Sequence, residues 1–284
     1  MQIVDAQVHI WTSGKPVGFH RQISRYSKDD LLKEMDEGGI DAAVLHPPSW
    51  DPKANEIAIE AAREHPDRLS ILGFFDVAKP ENRPLVDTWK QQSGMLGLRF
   101  AFLKPGWENW LTDGTMDWLW PAAERAGLPI ALLTPHKMPV VADIAAKHPN
   151  LRLILDHMGR PRGSQDDAGF ADLGEMLALA KFPNVAVKAT GAPSYSSEPY
   201  PFRNIHEYLH RIFDAFGPDR MFWGTDITRM PCSWRQCVTL FTQELPWLKG
   251  RDLEQVMGRG LCDWIGWTLP ASPQLQARGD SAPL

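Results

Sequence analysis

Apolar residues along this chain fall into eight short runs, several of which alternate with polar positions. Runs of this length, bounded by Gly, Pro, Asn or Asp, are typical of β-strands. The predicted strands are IVDAQVHI (3–10), AAVLHPP (42–48), LSILGFFD (69–76), MLGLRFAF (95–102), PIALLTP (129–135), LRLILDH (151–157), NVAVKAT (184–190) and RMFWGTD (220–226).

Stretches with helical periodicity lie between these strands. We predict helices over 28–38, 53–65, 82–90, 115–126, 138–148, 171–180, 202–216 and 233–243. Four similar junctions each end a helix and begin a strand: HPDRL (65–69), HPNLR (148–152), FPNVA (182–186) and GPDRM (217–221). Because proline cannot continue a helix and an adjacent Asn or Asp favours a turn, these junctions are interpreted as equivalent turns.

Strands and helices alternate eight times, which favours an α/β fold with a closed parallel sheet. Parallel strands must be buried on both faces, and right-handed crossovers close eight such units most economically as a (β/α)8 TIM barrel. An open doubly wound sheet is the alternative, but no Gly-rich phosphate turn follows any strand. We predict one barrel domain over 1–267 and a polar C-terminal tail over 268–284 that is loose or docked on a neighbour.

The connections that leave the strands are long and rich in Trp, Tyr and Pro, whereas those that enter strands are short. The longest are TSGKPVGFHRQISRYS (12–27), LKPGWENWLTDGTMDW (103–118) and GAPSYSSEPYPFRN (191–204). Barrel active sites form from the loops at the carboxyl ends of the strands. We therefore expect the functional site at that end.

Strand phase predicts which polar side chains face the lumen, since alternate residues of a strand share a face. On the first strand, Val4, Ala6, Val8 and Ile10 suit the surrounding helices, which leaves Asp5, Gln7 and His9 facing inward. The same argument places Arg99 and Lys188 in the lumen, and His157 and Asp226 at strand ends. Ionisable groups are costly to bury, so His9, His157 and Asp226 together indicate a functional site.

The other histidines have simpler interpretations. We assign structural roles to His46, His65 and His148, the last two in turns at the opposite end of the barrel. His20, His206 and His210 are interpreted as loop or helix-surface residues.

Composition narrows the class of ligand. The chain has 284 residues, 43% of them hydrophobic, and a formal net charge of −5 without a basic stripe. This argues against nucleic acid and anionic membranes and favours a small-molecule substrate. Three cysteines with no CxxC pair, no leader-like segment and no long apolar run predict a cytoplasmic protein without a membrane span. The sequence is compatible with a homo-oligomer and does not determine the oligomeric state.

These motifs resemble the amidohydrolase-related branch of the amidohydrolase superfamily. The resemblance covers nearly all of residues 2–267 and is carried by DAQVHIW (5–11), GLRF (97–100), LDHMGRP (155–161), WGTD (223–226) and MGRGLCDWIGW (257–267). That branch includes sugar-lactone hydrolases, pyrone-dicarboxylate lactonase, sulfo-muconolactone hydrolases and non-oxidative decarboxylases. The resemblance implies that Asp226 shuttles protons and that His9 and His157 are site histidines. Gln7 stands where the family has the first His of a metal-binding pair.

The cofactor prediction follows from this departure. A neutral amide is a poor substitute for imidazole at a zinc site. Gln7, His9 and Asp226 remain candidate ligands for one Zn²⁺ or Mn²⁺, with His136 as a fourth only if the Pro135 turn carries it back over the lumen. A site without metal is slightly favoured over a site with one divalent ion, because the resemblance to lactonases that act on carboxylated rings implies that activity does not require a metal.

The leading functional hypothesis is hydrolysis of a small, carboxylated lactone or cyclic ester. Asp226 would act as base and then as acid, while His9, His157 and the Gln7 amide polarise the carbonyl. Arg99, with Lys188 or Arg229, would bind a substrate carboxylate.

Two alternatives come from other classes of function. One is a metal-dependent non-oxidative decarboxylase or C–C hydrolase of an aromatic or muconate-like acid. The other is a ligand-binding barrel that has lost catalysis.

Overall fold

The computed structural model describes residues 1–270. Eight parallel strands pair in chain order. The strands are β1 Val4–Val8, β2 Ala42–Leu45, β3 Leu69–Gly73, β4 Met95–Ala101, β5 Ile130–Leu133, β6 Leu153–Leu155, β7 Val185–Thr190 and β8 Met221–Gly224. They form a nearly closed (β/α)8 barrel, which confirms the predicted fold class.

Helices follow the strands and cover the outside of the barrel. They are α1 Lys28–Gly38, α2 Ala54–Glu64, α3 Leu85–Thr88, α4 Leu119–Ala126, α5 Met138–Lys147, α6 Asp166–Gly169, α7 Leu173–Leu177, α8 His206–Phe216, α9 Trp234–Thr239, α10 Gly250–Glu254 and α11 Gly260–Ile265. The prediction of helix over 115–118 was wrong, since α4 begins only at Leu119. Among residues 1–270, no helix combines the length and the apolar character that crossing a membrane requires.

Two buried layers make up the core. The outer layer packs the helices against the outward faces of the strands. The inner layer fills the barrel toward the amino-terminal end of the strands. Its side chains are small, branched or, at one position, aromatic: Val4, Ala6, Ala42, Val44, Leu72, Ala131, Ile154, Ala186 and Phe222. Leu261 and Ile265 of α11 pack against this inner layer and close the amino-terminal end of the strands.

The predicted phase of β1 was only half right. Val4 and Ala6 face the lumen, whereas Asp5 faces outward, where its carboxylate accepts a hydrogen bond from the Trp234 indole of α9 (2.9 Å). The physical reason is an irregularity in the β1–β2 register between Asp5 and Val8, which brings both Ala6 and Gln7 to the inner face.

Side-chain and backbone groups join β1 to β8. The Asp5 carboxylate accepts hydrogen bonds from the Thr225 N–H (2.9 Å) and the Thr225 hydroxyl (2.5 Å), and the Asp226 N–H donates to the Gln7 carbonyl (2.8 Å). We call this set of contacts the β1–β8 seam. It fixes the backbone of Asp226 beside β1, at the carboxyl end of the barrel.

The two histidines assigned to turns lie in the turns that follow α2 and α5 and lead into β3 and β6, at the amino-terminal end of the strands. His65 and His148 follow the last residues of α2 and α5, and each backbone N–H donates to a helix carbonyl. The predicted tail, 268–284, lies outside the described residues from 271 onward.

Candidate active site

A cavity at the carboxyl ends of the strands opens to solvent. We call it the first cavity. Its wall includes His9 of the β1 end, His20 of the following loop, Trp50, Arg99, Trp107 and Arg162. The long loops after β1 and β4 contribute to this wall, as the loop lengths predicted.

Asp226 lies directly behind this wall and is fully buried. It follows β8 in a left-handed backbone conformation (φ 56°), which turns its side chain toward β1. Its Oδ1 lies 3.2 Å from His9 Nε2 and 3.8 Å from His20 Nδ1, while its Oδ2 accepts a hydrogen bond from Arg229 Nε at 2.7 Å. The carboxylate is therefore surrounded by nitrogen atoms on both sides.

These neighbours decide the charge of Asp226. Burial by itself raises the pKa of this carboxyl, but the adjacent His9 and Arg229 outweigh that effect and hold the pKa well below its ordinary value. Asp226 is thus ionised at neutral pH and able to accept a proton.

A backbone carbonyl fixes the orientation of His9. Nδ1–H donates to the His46 carbonyl at 2.5 Å, so Nε2 faces Asp226 and the first cavity. The His46 ring is itself fully buried, with Nε2 3.0 Å from the Ala6 carbonyl. This geometry agrees with the structural role expected for His46, whose carbonyl sets the His9 ring.

His157 is buried beside Asp226 (Nε2 to Oδ2, 3.6 Å) and is absent from the wall of the first cavity. Lys188 donates to Gln7 Oε1 (2.8 Å), which leaves the Gln7 amide N–H to donate to His157 Nε2 (3.3 Å). His157 Nδ1 lies 2.7 Å from the Thr190 hydroxyl and 3.1 Å from Arg229 Nη2. Burial lowers the pKa of His157 well below its ordinary value, so the ring stays neutral.

Gln7 and Lys188 lie deeper in the barrel than the predicted substrate-binding roles require. Lys188 is fully buried, with Nζ 2.6 Å from Asp156 Oδ1, and Arg99 Nε donates to Asp156 Oδ2 at 2.8 Å. Neither Gln7 nor Lys188 lines the first cavity. The Gln7 amide points to His157 rather than toward bound substrate, because Lys188 holds its carbonyl oxygen.

Two arginines line the first cavity with unused donors. Arg99 Nη2 and Arg162 Nε are buried without a hydrogen-bond partner among residues 1–270. Arg99 was predicted from strand phase. Arg162 was missed because it lies in the loop after β6, where no periodicity indicates direction.

His20 corrects another expectation. It was interpreted as a loop or helix-surface residue, but its side chain is almost completely buried and lines the first cavity beside Asp226. Its Nδ1 lies 2.8 Å from the Thr228 hydroxyl, and its ring packs on Trp50 at 4.9 Å between centroids. Burial lowers the pKa of His20 to about 3, so the ring is neutral at physiological pH.

His136, the proposed fourth metal ligand, lies apart from these residues. Its side chain is 66% exposed, and Nδ1 is 3.2 Å from Asp172. The Pro135 turn therefore does not carry it over the lumen.

The donors around Asp226 nevertheless fit a divalent metal ion. Single ligand atoms of His9, His20 and Asp226 lie within 4.8 Å of one another, and all three residues are buried. Two imidazoles and a carboxylate, with a water, are a ligand set found in catalytic zinc sites. The His9 Nδ1–H bond to a backbone carbonyl is also the usual support of a metal-binding histidine. His20 thus takes the place that the sequence prediction gave to Gln7 and His136.

Comparisons with known proteins agree with this fold. A curated relative, L-fucono-1,5-lactonase of Burkholderia ambifaria, is 21% identical over 232 residues, covering 78% of this chain and 79% of that protein. The structure of a Burkholderia multivorans amidohydrolase with bound zinc superposes with a TM-score of 0.81 at 18% identity, covering 94% of this chain and all of that one.

A putative 2-pyrone-4,6-dicarboxylic acid hydrolase of Pseudomonas putida superposes with a TM-score of 0.75 at 19% identity, covering 95% of this chain and 99% of that one. The sequence profile of the amidohydrolase family matches residues 4–283. With a barrel of matching topology and a buried His and Asp cluster at its carboxyl end, the chain belongs to the amidohydrolase family of hydrolases.

Proposed function

We propose that this protein hydrolyses a small lactone that carries a carboxylate. The observation that carries the proposal is the ionised Asp226 behind a cavity whose wall presents unused arginine donors, Arg99 Nη2 and Arg162 Nε. Guanidinium groups bind carboxylates strongly and directionally. The similarity to named lactonases supports the reaction class.

Asp226 is the proton carrier in the proposed reaction. A water between His9 and His20 gives a proton to Asp226 Oδ1 as its oxygen attacks the lactone carbonyl carbon. The ring C–O bond then breaks, and Asp226 returns the proton to the leaving alkoxide. The product is the ring-opened hydroxy acid, and Asp226 is ionised again.

Donors on the cavity wall stabilise the negative charge that develops on the carbonyl oxygen. The His9 ring and the Trp50 indole line this wall, and the indole N–H has no hydrogen-bond partner in the described part of the chain. His157, which is buried beside Asp226 and does not line the first cavity, is assigned a positioning role instead. Arg229 holds Asp226 Oδ2, so that Oδ1 is the oxygen available to water.

A bound zinc or manganese ion would be held by His9, His20 and Asp226 and would supply Lewis-acid activation of the carbonyl or of water.

Asp226→Asn tests the proposal. We expect kcat/KM for carboxylated lactones to fall about 10³-fold, because the amide cannot accept the proton. The measurement is ring opening of a panel of γ- and δ-lactone carboxylates, each compared with its methyl ester, which wild type should hydrolyse less efficiently. Asp87→Asn, an exposed carboxylate on α3, is the matched control and should leave the rates unchanged. An Asp226→Asn enzyme that opens every substrate lactone at the wild-type rate would refute the mechanism.

The His9, His20 and Asp226 donor set favours a second candidate, a metal-dependent non-oxidative decarboxylase of an aromatic acid. This function requires about one tightly held zinc or manganese ion per chain, measured by elemental analysis, and release of CO₂ rather than a ring-opened acid. Ligand-induced stabilisation without turnover of any lactone or acid would instead favour the ligand-binding barrel.

A further inference from the structure

A second cavity lies beside the first, at the carboxyl ends of β4 and β5, and opens to solvent. Apolar side chains form part of its wall, among them Phe102, Leu103 and Leu133. Leu103 and Arg162 line both cavities and therefore stand between them. A ligand in the second cavity is thus next to the reaction site but outside it.

Buried polar atoms in this wall have unused hydrogen-bonding capacity. Thr134 is 1% exposed and Arg160 is fully buried, yet Thr134 Oγ1 and Arg160 Nη2 have no hydrogen-bond partner among the described residues, and neither has Arg162 Nε. A buried polar group without a partner is unfavourable and calls for an explanation. A ligand with acceptor atoms would offer such partners.

Two contacts fix the orientation of the Arg160 guanidinium. Its Nε donates to the Met158 carbonyl at 2.9 Å, and its Nη1 pairs with Asp172. Nη2 is the remaining nitrogen, and Arg160 lines the second cavity. Asp172 is paired with both Arg160 and His136. The acidic residue that lines the second cavity is Glu108.

The donors and the electrostatics define the ligand chemistry. Lys137 adds a third positive charge to the wall, and α5 begins at Met138 without a side-chain cap, so its amino-terminal end favours an anion. Two guanidiniums and a hydroxyl match the oxygen atoms of a carboxylate. The apolar wall matches a hydrocarbon ring or chain that carries it.

We propose that the second cavity is a subsite that binds the carboxylate end of an aryl or alkyl acid. As a substrate subsite it rests on the proposed hydrolase function and extends it: Arg162 lines both cavities, so the substrate carboxylate that it binds would lie on the far side of Leu103 from the reacting ring. Thr134, Arg160 and Arg162 are its polar contacts.

Binding of 4-bromobenzoate to wild type and to Thr134→Val, measured by calorimetry, tests the subsite. Valine keeps the branched shape and removes only the hydroxyl, which has no internal hydrogen bond to lose, so we expect a folded variant that binds the probe about tenfold more weakly. Ser70→Ala is the matched control. Ser70 Oγ is also buried without a partner among residues 1–270 but lines neither cavity, so binding should be unchanged.

Anomalous scattering from bromine in crystals grown with the probe gives the position. We expect the signal in the second cavity. Equal binding by wild type and Thr134→Val, or a bromine signal confined to the cavity beside His9, would overturn the proposal.

The same titration on Asp226→Asn separates this proposal from the proposed reaction. Removing the base should leave the binding of 4-bromobenzoate and its dependence on Thr134 intact. Lactone turnover tests the proposed reaction, and the Thr134→Val titration tests the proposed subsite. One proposal can therefore be refuted while the other stands.

Discussion

Lys188 carries its ammonium in the interior of the barrel without any exposure to solvent. Its contacts with Asp156 Oδ1 (2.6 Å) and Gln7 Oε1 (2.8 Å) compensate for lost hydration, and Asp156 shares its second oxygen with Arg99. Burial raises the pKa of Asp156, but Lys188 and Arg99 more than offset this and keep it below its ordinary value. Lys188 is thus held in an ion pair behind the wall of the first cavity, and its contact with substrate stays a prediction.

Lys188→Met should lower the free energy of unfolding by about 3 kcal/mol, because it leaves the buried Asp156 carboxylate with Arg99 alone. Urea denaturation measures the change. The double variant Asp156→Asn with Lys188→Met should lose less, since no carboxylate is left unpaired. Lys33→Met, on the exposed face of α1, is the control and should match wild type. A Lys188→Met barrel as stable as wild type would mean that the ion pair contributes nothing net.

Strand phase predicted the inward direction of Gln7, Arg99 and Lys188 because regular strands alternate strictly. It failed at Asp5, where the register irregularity of β1 changes the phase within two residues and leaves no trace in the hydrophobic pattern. His20 could not be predicted either. A loop residue has no periodicity, and its burial depends on loop packing, including the Arg21 N–H bond to the Thr228 carbonyl (2.7 Å).

At the scale of elements, the turn that follows β7 positions the charge beside Asp226. Gly191 ends this strand with φ 75°, and a Cβ there would meet Arg229 Nη2 at 2.2 Å. The absence of a side chain at Gly191 therefore lets Arg229 lie against the strand end and reach Asp226.

Gly191→Ala should displace the Arg229 guanidinium and reduce kcat/KM for lactone substrates at least tenfold, with a lower melting temperature from the strained backbone. Steady-state kinetics and thermal unfolding measure the two effects. Gly174→Ala in α7, where a Cβ meets nothing within 4 Å, is the matched control and should keep full activity. Wild-type kinetics in Gly191→Ala would show that Arg229 need not hold Asp226.

At the scale of the whole molecule, the barrel order was predictable because eight alternating units leave few other topologies. The strand order does not determine which side chains contact one another inside the barrel. Those contacts depend on strand register, on loop packing and on residues with left-handed backbone conformation such as His157 and Asp226, none of which the hydrophobic pattern encodes.

The stability of the whole barrel should depend on pH through Lys188. Burial lowers the pKa of Lys188 from 10.5 to about 8. The cost of burying the ammonium is fully present below pH 8. It is relieved between pH 8 and 10.5, where the unfolded chain binds more protons than the folded one. The unfolding free energy of wild type minus that of Lys188→Met should therefore rise by about 2 kcal/mol from pH 7 to pH 9.5. A flat or falling difference in denaturant titrations would contradict the shift.

The β1–β8 seam has a consequence for how the protein is made. A ribosome completes His9 and Gln7 early, but Thr225 and Asp226, which bind to β1 through this seam, emerge more than two hundred residues later. Contacts so distant in sequence form late in folding, because closing so long a loop costs entropy before any contact rewards it. A nascent chain therefore contains His9 well before it contains Asp226, and the two side chains come together only when the last strand pairs with the first.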